Sequence, residues 1–164
     1  MAGHQPTTVT RATQVLGALL ALGAVAAVLS VVLEDALIRS WAEHNRSVRK
    51  TLEAGGLDAV KDSSVHIPAF APVAVVLFVV IAGLAMVLMA FVRAGHSWAR
   101  TCLTILIGFT ALGTVAGLRT TPPTVYVVFA VLSLLIEIVL VYFLYHRDTA
   151  GFLRASDRAG SPVD

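Results

Sequence analysis

Four apolar runs set the pattern of this chain: residues 15–33, 69–92, 101–118 and 125–145, and only the last contains a charged side chain, Glu137. The first run is nineteen residues long, and at a rise of 1.5 Å per residue it reaches about 28 Å, close to the thickness of a bilayer's hydrocarbon layer. The pattern predicts an all-α polytopic membrane protein with four transmembrane helices in one bundle, over about residues 14–38, 68–92, 98–118 and 123–146.

The connections punctuate these helices. Pro68 and Pro72 suit the first turn of the second helix, Gly95 a helix end, Ser97 a helix start, and Pro122 and Pro123 close one helix and open the next. Residues 39–67 form the largest extramembrane piece. No breaker separates the first run from it, and Asp35 and Arg39 stand at the i, i+4 spacing that supports a helix. The first helix is therefore expected to extend into a partly helical loop and to stop at Gly55–Gly56. Residues 1–13 and 147–164 are polar and read as a disordered tail and a polar tail, the second with one amphipathic turn at Phe152 and Leu153. A cleavable leader is the rival for the first run, since Ala24-Val25-Ala26 resembles a cleavage site. Cutting there would leave an apolar new terminus, and the preceding segment is barely basic.

Composition agrees: 57% of the 164 residues are hydrophobic and 13% charged, outside the ordinary soluble range. A net charge of +2 with no basic patch gives no reason to expect a nucleic-acid partner. The expected partners are the lipid bilayer, and a second copy or another membrane protein. Arg outnumbers Lys ten to two beside Ala- and Val-rich spans, the bias expected of a GC-rich bacterial genome. Lys and Arg number six on one side of the bundle and six on the other. Orientation rests instead on Arg93 and Arg100 crowding one short connection, which favours both termini in the cytoplasm. Trp41, Trp98, Tyr142, Tyr145 and Arg147 fall at span ends and are the candidate interfacial anchors.

The candidate chemistry is small. There is one cysteine, Cys102, so neither a disulfide nor a thiolate metal cluster can form within the chain. The five histidines lie in tails, loops or at helix ends, which does not suit a haem held between spans. HExxH, GxSxG and a phosphate loop are missing. No enzyme and no cofactor is expected. Glu137 is the exception in the lipid: an acid at mid-span costs about 2.5–3.5 kcal/mol on insertion scales and so turns inward. Helical spacing puts Ala130 and Ser133 on its face, and Thr110 and Thr114 on the third helix are candidate hydrogen-bond donors to it. Two roles follow. A neutral Glu137 holds helices together in a protein that works through protein–protein or protein–lipid contacts, an accessory or assembly subunit. Alternatively, Glu137 binds or relays a proton or cation in a small transporter or channel. The second role lacks a partner acid, a broken helix and an internal repeat.

Gly95-His-Ser-Trp98-Ala-Arg100 at the start of the third helix, and Tyr145-His-Arg147 followed by Phe152-Leu-Arg154 after the fourth, resemble the small uncharacterised four-helix integral membrane proteins of actinobacteria. That resemblance implies a plasma-membrane location and carries over no functional residue. The paired cysteines of tetraspanin-like proteins and of quinone-linked thiol oxidoreductases have no counterpart here.

Overall fold

The computed structural model describes residues 6–120 and 122–160. Seven helices follow one another: α1 (Thr7–Val32), α2 (Glu34–His44), α3 (Arg46–Lys61), α4 (Phe70–Arg93), α5 (Ser97–Leu118), α6 (Thr124–Tyr145) and α7 (Arg147–Gly160). No strand occurs among the described residues. Four of the helices, α1, α4, α5 and α6, are long and apolar enough to cross a membrane. Helix α1 packs on α4 and α6, and α5 packs on the same two, so the spans close into a ring in the order α1, α4, α5, α6. The protein is an all-α membrane protein with a four-helix transmembrane bundle. One end of the bundle carries the α2–α3 hairpin, and the other carries α7.

Three polar segments differ from what their composition predicts. The amino-terminal tail reads as disordered to residue 13, yet α1 begins at Thr7; residues 1–5 lie outside the described residues. Pro6 precedes the first turn with its φ already near the helical value, and Val9, Ala12 and Leu16 recur on one inward face and are buried. Arg11 stays exposed, which lets its long side chain reach polar surroundings while the helix packs.

The second departure follows the first span. In place of a straight extension, the helix breaks at Leu33 (φ −103°, ψ 25°) and α2 pairs with α3. Ile38 and Ala42 on α2 meet Val48 and Val60 in a small separate core, with Trp41, Leu52 and Leu57 against it. An apolar stripe in water gains by folding onto another stripe, and the break permits that. Asn45 starts α3 by accepting a hydrogen bond from the Ser47 N–H at 3.2 Å. Gly56, at φ 72°, kinks α3 without ending it. The Lys61 ammonium reaches back to Asp35 at 2.6 Å, and that hydrogen bond holds the lysine above its ordinary pKa.

The third departure is α7, where the composition predicts a polar tail; residues 161–164 lie outside the described residues. Its Leu153 is buried. The Thr149 hydroxyl donates to the Phe143 carbonyl at 2.9 Å and shares a second 2.9 Å bond with the Thr8 hydroxyl, so the two chain ends are tied together. Gly95 lets α7 approach: its φ is +91°, and a Cβ there would lie 2.5 Å from the Ser156 hydroxyl oxygen. A Gly95→Ala chain should fold its spans but release α7, with a backbone cost of about 1–2 kcal/mol from the left-handed conformation alone. Hydrogen exchange over residues 147–160 should accelerate while that of α5 and α6 stays unchanged; equal protection in both proteins would contradict this packing.

Candidate functional site

The inside of the bundle is unequal along its length. Toward α7 it is solid: Ala12, Leu16, Leu88, Met89, Val92, Leu103, Ile107, Leu140 and Leu144 form one buried apolar cluster. Toward the hairpin it is hollow. A cavity of about 350 Å³ runs between all four spans, and its wall includes Gly23 and Ser30 of α1, Phe78 of α4, Thr110 and Thr114 of α5, and Tyr126, Ser133 and Glu137 of α6. The composition of the helices produces this difference. Where leucines face inward the spans interdigitate, whereas Ala26, Ala27, Ala74, Ala82 and Ala130 put only short side chains on the cavity wall.

Glu137 stands where the hollow half meets the solid one. Its side chain is turned inward, with the residue only 6% exposed. One carboxyl oxygen, Oε1, lies 3.1 Å from the Thr110 hydroxyl; the other, Oε2, is buried and has no hydrogen-bond partner. The Thr110 hydroxyl also lies 2.8 Å from the carbonyl oxygen of Ile107. It has one proton for two acceptors. The Thr110 hydroxyl is thus shared between the Ile107 carbonyl and Oε1 of Glu137, and Oε2 is left as a bare acceptor.

The other expected donors are near but engaged. The Thr114 hydroxyl donates to the Thr110 carbonyl at 2.9 Å and the Ser133 hydroxyl to the Ala130 carbonyl at 3.0 Å; both line the cavity without bonding the acid. Two further wall residues are not singled out by the sequence pattern. Ser30 lines the cavity near the hairpin end, its hydroxyl spent on the Ala26 carbonyl at 3.0 Å. Tyr126 also lines it, and its phenol oxygen is buried without a partner. The helical face through Glu137, Ser133 and Ala130 continues one turn further to Tyr126, so the spacing held the signal.

The anchors divide. Trp98, Tyr142, Tyr145 and Arg147 are exposed at the α7 end. Trp98 leans on Phe91 with ring centroids 5.2 Å apart, and the Arg100 guanidinium sits 4.8 Å above the Tyr145 ring. Aromatic rings beside cations suit the headgroup layer. Trp41 instead packs against the hairpin's own core. Among the described residues, no group of three or more His, Cys, Asp or Glu side chains could hold a metal ion. Cys102 is exposed.

No family model, no curated protein and no solved structure matches the chain.

Proposed function

We propose that this four-span membrane protein works by contact, as an accessory or assembly subunit in a bacterial plasma membrane, with both termini in the cytoplasm. The observation that carries this reading is the solid half of the bundle. Below Glu137 the spans meet in an apolar cluster that includes Leu103, Leu140 and Leu144, each wholly buried, so leucine side chains wall the carboxyl off toward α7. A carrier needs a route on both sides of its site. The outer faces favour contact. Gly113 and Gly117 lie one turn apart on the exposed side of α5, and a Cβ at either would meet nothing within 4 Å. Such a pair lets the backbone of another helix come close.

Purification in mild detergent from native membranes tests the reading. The expected result is a stable stoichiometric complex, with a second membrane protein or with further copies, that Gly117→Ile weakens. A monomer that moves ions when placed in liposomes would refute it. Orientation has its own check. A Ser63→Cys chain with Cys102 replaced should react with an impermeant thiol reagent on intact cells; reaction only after lysis would invert the topology.

A further inference from the structure

We propose that the α7 end of the bundle selects anionic phospholipid, through a girdle of arginines, one from each span, that meets the headgroup phosphates of one leaflet. The selection is independent of the contact reading: it needs no protein partner and no particular orientation.

Every span carries an arginine where it reaches this end: Arg11 in the second turn of α1, Arg93 closing α4, Arg100 in the first turn of α5 and Arg147 just after α6. Arg11, Arg93 and Arg147 are exposed and Arg100 is half-buried. The opposite ends of the same spans differ. Glu34 and Asp35 follow α1, Arg119 follows α5, and no charged residue adjoins the start of α4 or α6. Lys and Arg are equal in number at the two ends of the bundle, six each, but the acids are not: residues 1–13, 93–100 and 147–164 hold three, against six in residues 34–67 and 119–123. The α7 end therefore has a surplus of positive charge, and the hairpin end has none. All three of its acids lie in residues 147–164, so the stretches that carry Arg11, Arg93 and Arg100 contain no carboxylate. Asp148, beside Arg147, has its carboxylate 3.4 Å from the His146 ring nitrogen Nδ1.

Lipid reaches these arginines along the outer faces of the spans. Phe91 and Trp98 near Arg93 and Arg100, and Tyr142 and Tyr145 ahead of Arg147, are all exposed, as suits side chains at the boundary between hydrocarbon and headgroups. A guanidinium at that level offers a phosphodiester paired N–H donors. Phosphatidylcholine has the same phosphate, but its ammonium cancels the charge and would sit among the arginines. An anionic headgroup keeps its charge to meet the surplus. Choline is also held by the faces of aromatic rings; the Arg100 guanidinium, 4.8 Å above the Tyr145 ring, already covers one of these. Charge and ring geometry thus favour the same occupant, a phospholipid with a net negative headgroup such as phosphatidylglycerol.

Trp98, half exposed beside the girdle, reports which lipid is next to it once the other tryptophan is removed as Trp41→Phe. The full chain is placed in vesicles that mix brominated phosphatidylcholine with plain phosphatidylglycerol, and in the converse mixture, and quenching of Trp98 by the brominated lipid is read in each. The expected result is a preference for phosphatidylglycerol of at least about threefold over its share of the vesicle. Arg93→Gln with Arg100→Gln should bring it below about 1.5-fold, whereas Arg93→Lys with Arg100→Lys should keep most of it. Arg46→Gln with Arg49→Gln, on the hairpin, should leave it unchanged. The unaltered girdle gives a second reading if the Gln pair does not fold: raising ionic strength from about 0.01 to 1 M shortens the screening length from about 30 to about 3 Å and should erase the preference. Equal quenching by the two lipids, a preference that survives the Gln pair or high salt, or one lost equally by the hairpin pair would each overturn the proposal.

Discussion

Leu140→Ala should weaken association of the spans by about 1–3 kcal/mol, whereas Ile138→Ala, two residues earlier on the same helix, should shift it by less than about 0.5 kcal/mol. Both side chains are large, aliphatic and in the middle of α6, and they differ in what surrounds them. Leu140 is 0% exposed within the solid half of the bundle, and Ile138 is 66% exposed. In a soluble protein a buried Leu→Ala costs about 2–5 kcal/mol, made of a transfer term and a cavity term. Lipid tails are as apolar as leucine, so the transfer term largely vanishes here. What remains is the dispersion attraction that the side chains lining the new hole give up. Ile138 faces medium that closes over any gap, so its truncation leaves no hole. Titration with a denaturing detergent, followed by separation of the helices, measures both variants; equal shifts would contradict this placement, and a larger loss for Ile138→Ala would mean that α6 is turned the other way about. The void left at Leu140 would also deepen the hollow half toward α7, because Glu137 lies one turn above it.

The four spans were legible because lipid imposes a coarse rule, about twenty apolar residues per crossing, that tolerates errors of several residues. Glu137 was legible for the same reason, since a lone acid within a span has to turn inward; the sequence offered Thr110 and Thr114 together as its donors, and only the structure shows that Thr110 bonds it while Thr114 is spent on its own helix. The polar segments were harder. Residues 7–13 and 147–160 look like solvated ends because Thr, Arg and Asp dominate them, and their few apolar positions gain meaning only from each other. Val9 and Leu153 are buried, and Thr8 and Thr149 bond across 141 positions of sequence. No local pattern carries a pairing of that separation. The break at Leu33 was hidden in a similar way: nothing in residues 30–36 disfavours a helix, and the chain turns there because the stripe of Ile38, Trp41 and Ala42 finds its partner in α3. The cavity was illegible for a further reason. Small residues in a span signal close packing and open space equally well, and only the relative heights of four helices decide between them.

Glu137→Leu should ease insertion of α6 by about 3 kcal/mol while changing association of the inserted spans by less than about 1 kcal/mol. The first figure follows from insertion scales, on which an acid at mid-helix costs about 2.5–3.5 kcal/mol and leucine contributes about −0.3 to −0.6. The second follows from what the carboxyl does once the bundle has formed. It makes one hydrogen bond, to Thr110 at 3.1 Å, and leaves Oε2 unpartnered; side-chain hydrogen bonds between spans average about 0.6 kcal/mol. An acid placed to hold helices together would use both oxygens, and its removal would cost far more. Translocon insertion assays on α6 read the first number, and detergent unfolding of the whole chain reads the second. A loss of association above about 2 kcal/mol would make Glu137 a structural clamp after all, beyond what its one bond explains. The expected pair of results instead describes a residue that makes the membrane helix harder to insert and returns little stability for it.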